Sequence, residues 1–137
     1  MRMRKYMAGI TLIELMIVIV ILSILVAVAY PNYREFAARA KRTEARAALL
    51  EIAAAQERFY LQNSSFGDMA ALGYDDPWIT DSESYAVTVT ASSAADFTAQ
   101  AAYRLGGDEA LKCGTFTING AGVKGSDPDG DCWTRAR

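Results

Sequence analysis

Glu14 is the side chain whose setting most demands an explanation in chemistry. It is the only side chain in residues 10–30, ITLIELMIVIVILSILVAVAY, of a type charged at neutral pH in water. As a helix, those 21 residues would span roughly 31 Å, about the thickness of a hydrocarbon core. A carboxylate in such a segment costs on the order of 2.5–3.5 kcal/mol, so it needs a partner or a task. No Lys, Arg or His lies within the segment, which leaves the start of the chain or another molecule to supply the partner. The preceding residues, MRMRKYMAG, carry Arg2, Arg4 and Lys5 and no acid. Positive charge there holds the leader on the cytoplasmic side and sends the rest outward. A secretory signal is cut after its apolar core, at a small-x-small site. Here the small pair Ala8-Gly9 comes before the core. A cut after Gly9 would remove the charges, keep the helix and create an amine at Ile10, one helical turn from Glu14.

The other reactive residue types lie far along the chain. Cys113 and Cys132 fall on the outward side of the apolar segment, in a compartment where disulfides persist. A bridge between them would close a loop of about 20 residues and contribute on the order of 3 kcal/mol in the chain-entropy model. Their spacing is too wide for CxxC redox chemistry, and the chain contains no histidine to complete a nucleophile or metal set. The neighbouring acids Asp75-Asp76 and Asp108-Glu109 read as solvated loop pairs. An enzyme is therefore not expected, nor a cofactor. Asp127-Pro128-Asp129-Gly130-Asp131 sets Asp127, Asp129 and Asp131 at alternate positions, which suits calcium. The same residues make an acidic turn, the reading preferred here. Asn63-Ser64-Ser65 fits the N-glycosylation pattern, a short match that chance often supplies.

Charge bears on partners. Loss of Arg2, Arg4 and Lys5 leaves 11 of the 14 basic residues against 16 acids. From Asp68 onward, Arg104, Lys112, Lys124, Arg135 and Arg137 face 11 acids. Phosphate binding needs a basic surface. Lys112, Lys124, Arg135 and Arg137 are the candidates, because all lie near the cysteine loop in sequence. The alternative is a solvated loop rim. Arg39, Lys41, Arg42 and Arg46 form a denser basic run close to the apolar segment, where lipid headgroups or packing against neighbouring molecules suit it better than nucleic acid.

Elements must position these groups. Residues 32–61 are rich in alanine, glutamate, arginine and leucine, good helix formers. Ala45, Ala48, Ile52, Ala55 and Phe59 step by three and four, with Leu49 widening the stripe, while Arg42, Arg46, Glu57 and Arg58 fall outside it. Pro31 removes one helical hydrogen bond, but the helical pattern resumes at once. The expectation is one helix of about 52 residues, roughly 78 Å long and bent at Pro31, whose later half covers a sheet. Residues 63–84 read as a packed loop with one short helix at 68–72. Tyr85, Val87 and Val89 alternate with polar or small residues, as do Phe97, Ala99, Ala101 and Tyr103 after a Ser92-Ser93 turn. Phe116 and Ile118 mark a further strand, and Asn119-Gly120 a hairpin into Val123 and Lys124. The fold class is α+β, with a three- or four-stranded antiparallel sheet on the long helix.

GITLIELMIVIVILSILVAVAYPNY resembles the N-terminal signature of type IV pilins, their class III signal and N-methylation motif. AALLEIAAAQERFYLQNSSF, CGTFTINGAGVKG and DCW are similar to the PilE-type minor pilins. The resemblance implies a prepilin peptidase that cuts after Gly9, N-methylation of Ile10, an assembly role for Glu14 and a helix kink at Pro31. It also implies a C-terminal disulfide loop closed by Cys113 and Cys132, a loop that the major type II secretion pseudopilins typically lack. Ile10 departs from the family's usual phenylalanine, within the apolar range the family accepts. The implied organisation is a leader at 1–9, a transmembrane and assembly half-helix at 10–30, an amphipathic half at 31–62 and a head at 63–137. The implied partners are other pilin subunits in a helical filament, the peptidase, an inner-membrane assembly platform, and lipid before assembly. The implied place is the inner membrane of a Gram-negative bacterium, single pass with a periplasmic head, and then an extracellular pilus. The expected function is a minor pilus subunit for motility, adhesion or surface attachment. The alternatives are a DNA-binding competence pilin and a type II secretion pseudopilin.

Overall fold

The computed structural model describes residues 9–134. Helix α1 spans Leu12–Asn63, 52 residues. Thr11 begins it: its carbonyl accepts from Leu15 N at 3.2 Å and its Oγ1 accepts from Glu14 N at 3.3 Å. Those two bonds are the work of an N-cap residue. Pro31 lies inside α1 and does not end it. Close by, Asn32 Nδ2 donates to Val28 O at 3.3 Å. In the apolar part, Ser23 Oγ donates to Ile19 O at 2.7 Å, so its hydroxyl is satisfied within the helix.

The chain divides after Phe36 into two units. In the first, the described residues from Leu12 onward are helical, with their apolar side chains exposed all round. The second, Ala37–Arg137, holds the core. There Ala45, Ala48, Leu49 and Ile52 of α1 meet Tyr85, Val87, Phe97, Ala99, Ala101, Phe116 and Ile118 from the sheet. The predicted stripe is thus the buried one, with Phe59 at its half-buried end. Arg42 corrects the reading of the polar face: it is buried, at 5% exposure.

The sheet has five antiparallel strands in sequential order, one more than the largest number expected. They are β1 Trp78–Ile79, β2 Tyr85–Ser92, β3 Phe97–Tyr103, β4 Gly114–Asn119 and β5 Lys124–Pro128. The unforeseen strand is β1, which lies in the stretch expected to be loop and pairs Trp78 with Val87 and Ile79 with Ala86. Two residues are too few to show an alternation, so pairing with β2 makes this strand. The short helix α2, Met69–Leu72, is capped by Asp68, whose side chain accepts from Ala71 N, and ends at Gly73 with φ 84°. A second short helix, α3 at Ala110–Cys113, was not expected. Buried Gln56 holds the intervening loop to α1 by accepting from Gly67 N at 2.9 Å and donating to Gly67 O at 2.6 Å.

The β4–β5 hairpin forms where Asn119-Gly120 signals it, but by another route. The left-handed residue is Gly122, with φ 75°. Asn119 Oδ1 accepts from Val123 N at 2.8 Å and closes the turn. The asparagine acts through its side chain, and no two-residue turn is made.

Candidate functional site: the helix start and the disulfide-bounded face

The first candidate region is the start of α1. Gly9, Ile10 and Thr11 are non-helical and exposed, and Glu14 stands at the third helical position. Among the described residues, no atom beyond its chain neighbours comes within 4 Å of a Cβ placed on Gly9. Glu14 is the single acid in an apolar surface of isoleucine, leucine and valine side chains, most of them more than half exposed. The richest 18-residue window of this helix has a mean hydropathy of 3.1, and it is long and apolar enough to cross a membrane. Thr11 was not among the residues singled out from the sequence. Its signal was present as Thr-x-x-Glu before an apolar run, the capping-box pattern.

The second region gathers around the disulfide. Cys113 closes α3 and bonds to Cys132 with the Cα atoms 5.8 Å apart. Two arginines of α1 hold this region. Arg42 grips Glu109 with both forks, Nε to Oε1 at 2.5 Å and Nη2 to Oε2 at 2.6 Å. The side chains are 6% and 11% exposed, so the pair is nearly dry. Arg46 Nη1 donates to Trp133 O at 2.9 Å. Arg42 and Arg46, expected in a run suited to lipid headgroups or filament packing, are instead engaged with Glu109 and the Trp133 carbonyl. Tyr85 Oη donates to Cys113 O at 3.0 Å from within the core. Burial pushes the Tyr85 hydroxyl well above the usual tyrosine range, and the nearby Glu109 carboxylate adds to the shift.

The four basic candidates do not share one fate. Lys112 and Lys124 are exposed. Lys124 Nζ lies 5.3 Å from the Trp133 ring centre, a cation–π contact on the edge strand β5. The Trp133 indole is itself fixed, donating Nε1–H to Gly125 O at 2.5 Å and meeting Phe116 edge-on at 5.7 Å. Arg135 and Arg137 lie outside the described residues, as does the leader before Gly9. The calcium candidate is not assembled. Asp127 lies on β5 opposite Thr115, while Asp129 Oδ1 accepts from Asp131 N at 3.1 Å. Among the described residues no three acids or cysteines gather as a metal site.

A long, apolar-led helix, an antiparallel sheet on its later half and a C-terminal disulfide define the type IV pilin class. The prokaryotic N-terminal methylation motif matches residues 4–30. The chain belongs to the family described as type IV minor pilin ComP, DNA uptake sequence receptor, whose model matches residues 31–117. Lys124, Cys132 and Trp133 lie beyond that match. Among curated relatives, the type IV major pilin protein PilA of Myxococcus xanthus is 45% identical over 62 residues, 45% of this chain and 28% of that protein. The chain thus spans less than a third of that relative's length. Among solved structures, the non-core minor pilin PilV of Neisseria meningitidis matches with a TM-score of 0.51 at 26% identity, over 67% of this chain and 88% of that one.

Proposed function

We propose that this chain is a minor subunit that enters or primes a type IV pilus after its leader is removed. One observation carries the reading: a single chain joins a methylation motif at residues 4–30 to a minor-pilin family match at residues 31–117. In this reading prepilin peptidase cuts after Gly9, Ile10 becomes the N-methylated first residue, and Glu14 meets the amine of a neighbouring subunit during assembly. Before assembly the apolar half of α1 lies in the inner membrane and the head in the periplasm of a Gram-negative cell. Mass spectrometry of sheared surface filaments against the membrane fraction tests this. The expected finding is N-methyl-Ile10 in filaments at a few per cent of the main subunit. Parity with the main subunit would overturn the minor role. A cleaved chain confined to membranes would favour a secretion pseudopilin.

A second reading, DNA capture during transformation, is favoured by the family's description and by Lys124 stacked on Trp133 at an exposed edge strand. Set against it is the excess of acids from Asp68 onward. Full-length chain in detergent, titrated with labelled duplex DNA at several salt concentrations, separates the two. If Lys112 and Lys124 contact phosphates, log affinity falls with log salt at a slope of about −2, and Lys124→Ala lowers its magnitude by about 1. Binding that ignores salt, or no binding, rejects the DNA reading.

A further inference from the structure

Glu14 N–H has two possible acceptors, and the choice between them decides where α1 begins. Were the helix one residue longer, this amide would bond the carbonyl of Ile10, four residues back. One residue longer again, and Ile13 N–H would occupy the carbonyl of Gly9. That carbonyl belongs to the peptide bond proposed for cleavage. Instead, Thr11 Oγ1 takes the Glu14 amide at 3.3 Å, while the Thr11 carbonyl accepts the first intrahelical bond from Leu15 N at 3.2 Å. The helix therefore stops at Leu12, and Gly9, Ile10 and Thr11 keep a non-helical backbone. Ile10 is 76% exposed, and among the described residues nothing beyond its chain neighbours crowds Gly9.

A peptidase must reach a scissile carbonyl from outside and polarise it, which a carbonyl bonded inside a helix resists. We propose that Thr11 is a positioning residue for leader removal: its side-chain cap ends the helix short of the Gly9–Ile10 bond and so presents that bond to the peptidase. Apolar surroundings make the cap necessary. A helix start in or near lipid leaves amides without water, and adding helical turns toward the leader is the ready way to satisfy them. Thr11 satisfies one of those amides without adding a turn.

The proposal rests on the reading that cleavage follows Gly9, and one experiment separates the two. Full-length chain and purified prepilin peptidase are mixed in detergent, with product N-termini and initial rates read by mass spectrometry. Three chains are compared: wild type, Thr11→Val, which keeps the shape and loses the acceptor, and Thr11→Ser, which restores it. An uncapped helix leaves only a fraction of chains presenting the bond, so the apparent KM of Thr11→Val rises about fivefold at unchanged kcat. Thr11→Ser returns to the wild-type value. Equal KM for Thr11→Val and wild type would overturn the proposal, and so would an equal loss in Thr11→Ser. A wild-type product that does not begin at Ile10 would instead overturn the processing reading, and the role of the cap with it.

Discussion

Arg42 shows how far a residue's role can lie from its local pattern. By spacing it sits with Arg39, Lys41 and Arg46 in a basic run off the apolar stripe. In the structure it is clamped to Glu109, 67 residues away, in a nearly dry pair. Nothing within one helical turn of Arg42 foretells a partner in a loop beyond three strands. The apolar stripe was legible because its period is local; the ion pair was not, because only the fold creates it. A bidentate pair out of water contributes little net stability, but removal of one member leaves a buried charge. Arg42→Met is therefore expected to destabilise the head by about 3–5 kcal/mol. Adding Glu109→Leu should recover most of that loss, since no charge is then stranded. Thermal unfolding of the three chains in detergent is the measurement. A double variant as unstable as the single one would place the cost in lost shape instead of stranded charge.

At the scale of elements, strands with several alternating residues announce themselves and short ones do not. Tyr85, Val87, Phe97, Ala99, Ala101, Phe116 and Ile118 all point inward as their alternation predicts. The two-residue β1 and the four-residue α3 have no period to read, so pairing and chain closure decide them. The disulfide belongs to this scale because it ties an otherwise weak element to the core. It joins the end of α3 to the segment after β5, a strand with two glycine or proline positions that, among the described residues, pairs in the sheet with β4 alone. Joint replacement of Cys113 and Cys132 by serine is expected to cost about 2–5 kcal/mol. The loss should appear first as fraying of β5, with Trp133 leaving Phe116 and Lys124. Brief trypsin digestion with mapped fragments would then show early cuts after Lys112 and Lys124. Cutting at the wild-type rate at both lysines would show that β5 is held without the bridge.

At the scale of the molecule, the two units meet different surroundings, and one acid marks the difference. The head closes its own core, while the isoleucines, leucines and valines of the first unit remain exposed. Taking apolar surface out of water stabilises by roughly 25 cal/mol per Å², so that surface must be covered by lipid or by other apolar helices. Helix packing within a filament could replace lipid without exposing the surface to water. On apolar grounds the exchange is then close to neutral, and a polar term can set its direction. Glu14 is well suited to supply that term. A carboxylate in lipid carries a desolvation cost, which the proposed pairing with the charged amine of an adjacent subunit would offset. On the proposed reading, removal of the acid should therefore spare insertion and leader removal and abolish entry into filaments. For Glu14→Ala the expected result is a membrane fraction full of chain beginning at Ile10, with sheared pili depleted at least tenfold, the equivalent of about 1.4 kcal/mol. Glu14→Asp, with a shorter reach to the amine, should fall between the two. Glu14→Ala at wild-type levels in sheared pili would mean that apolar packing alone drives the exchange.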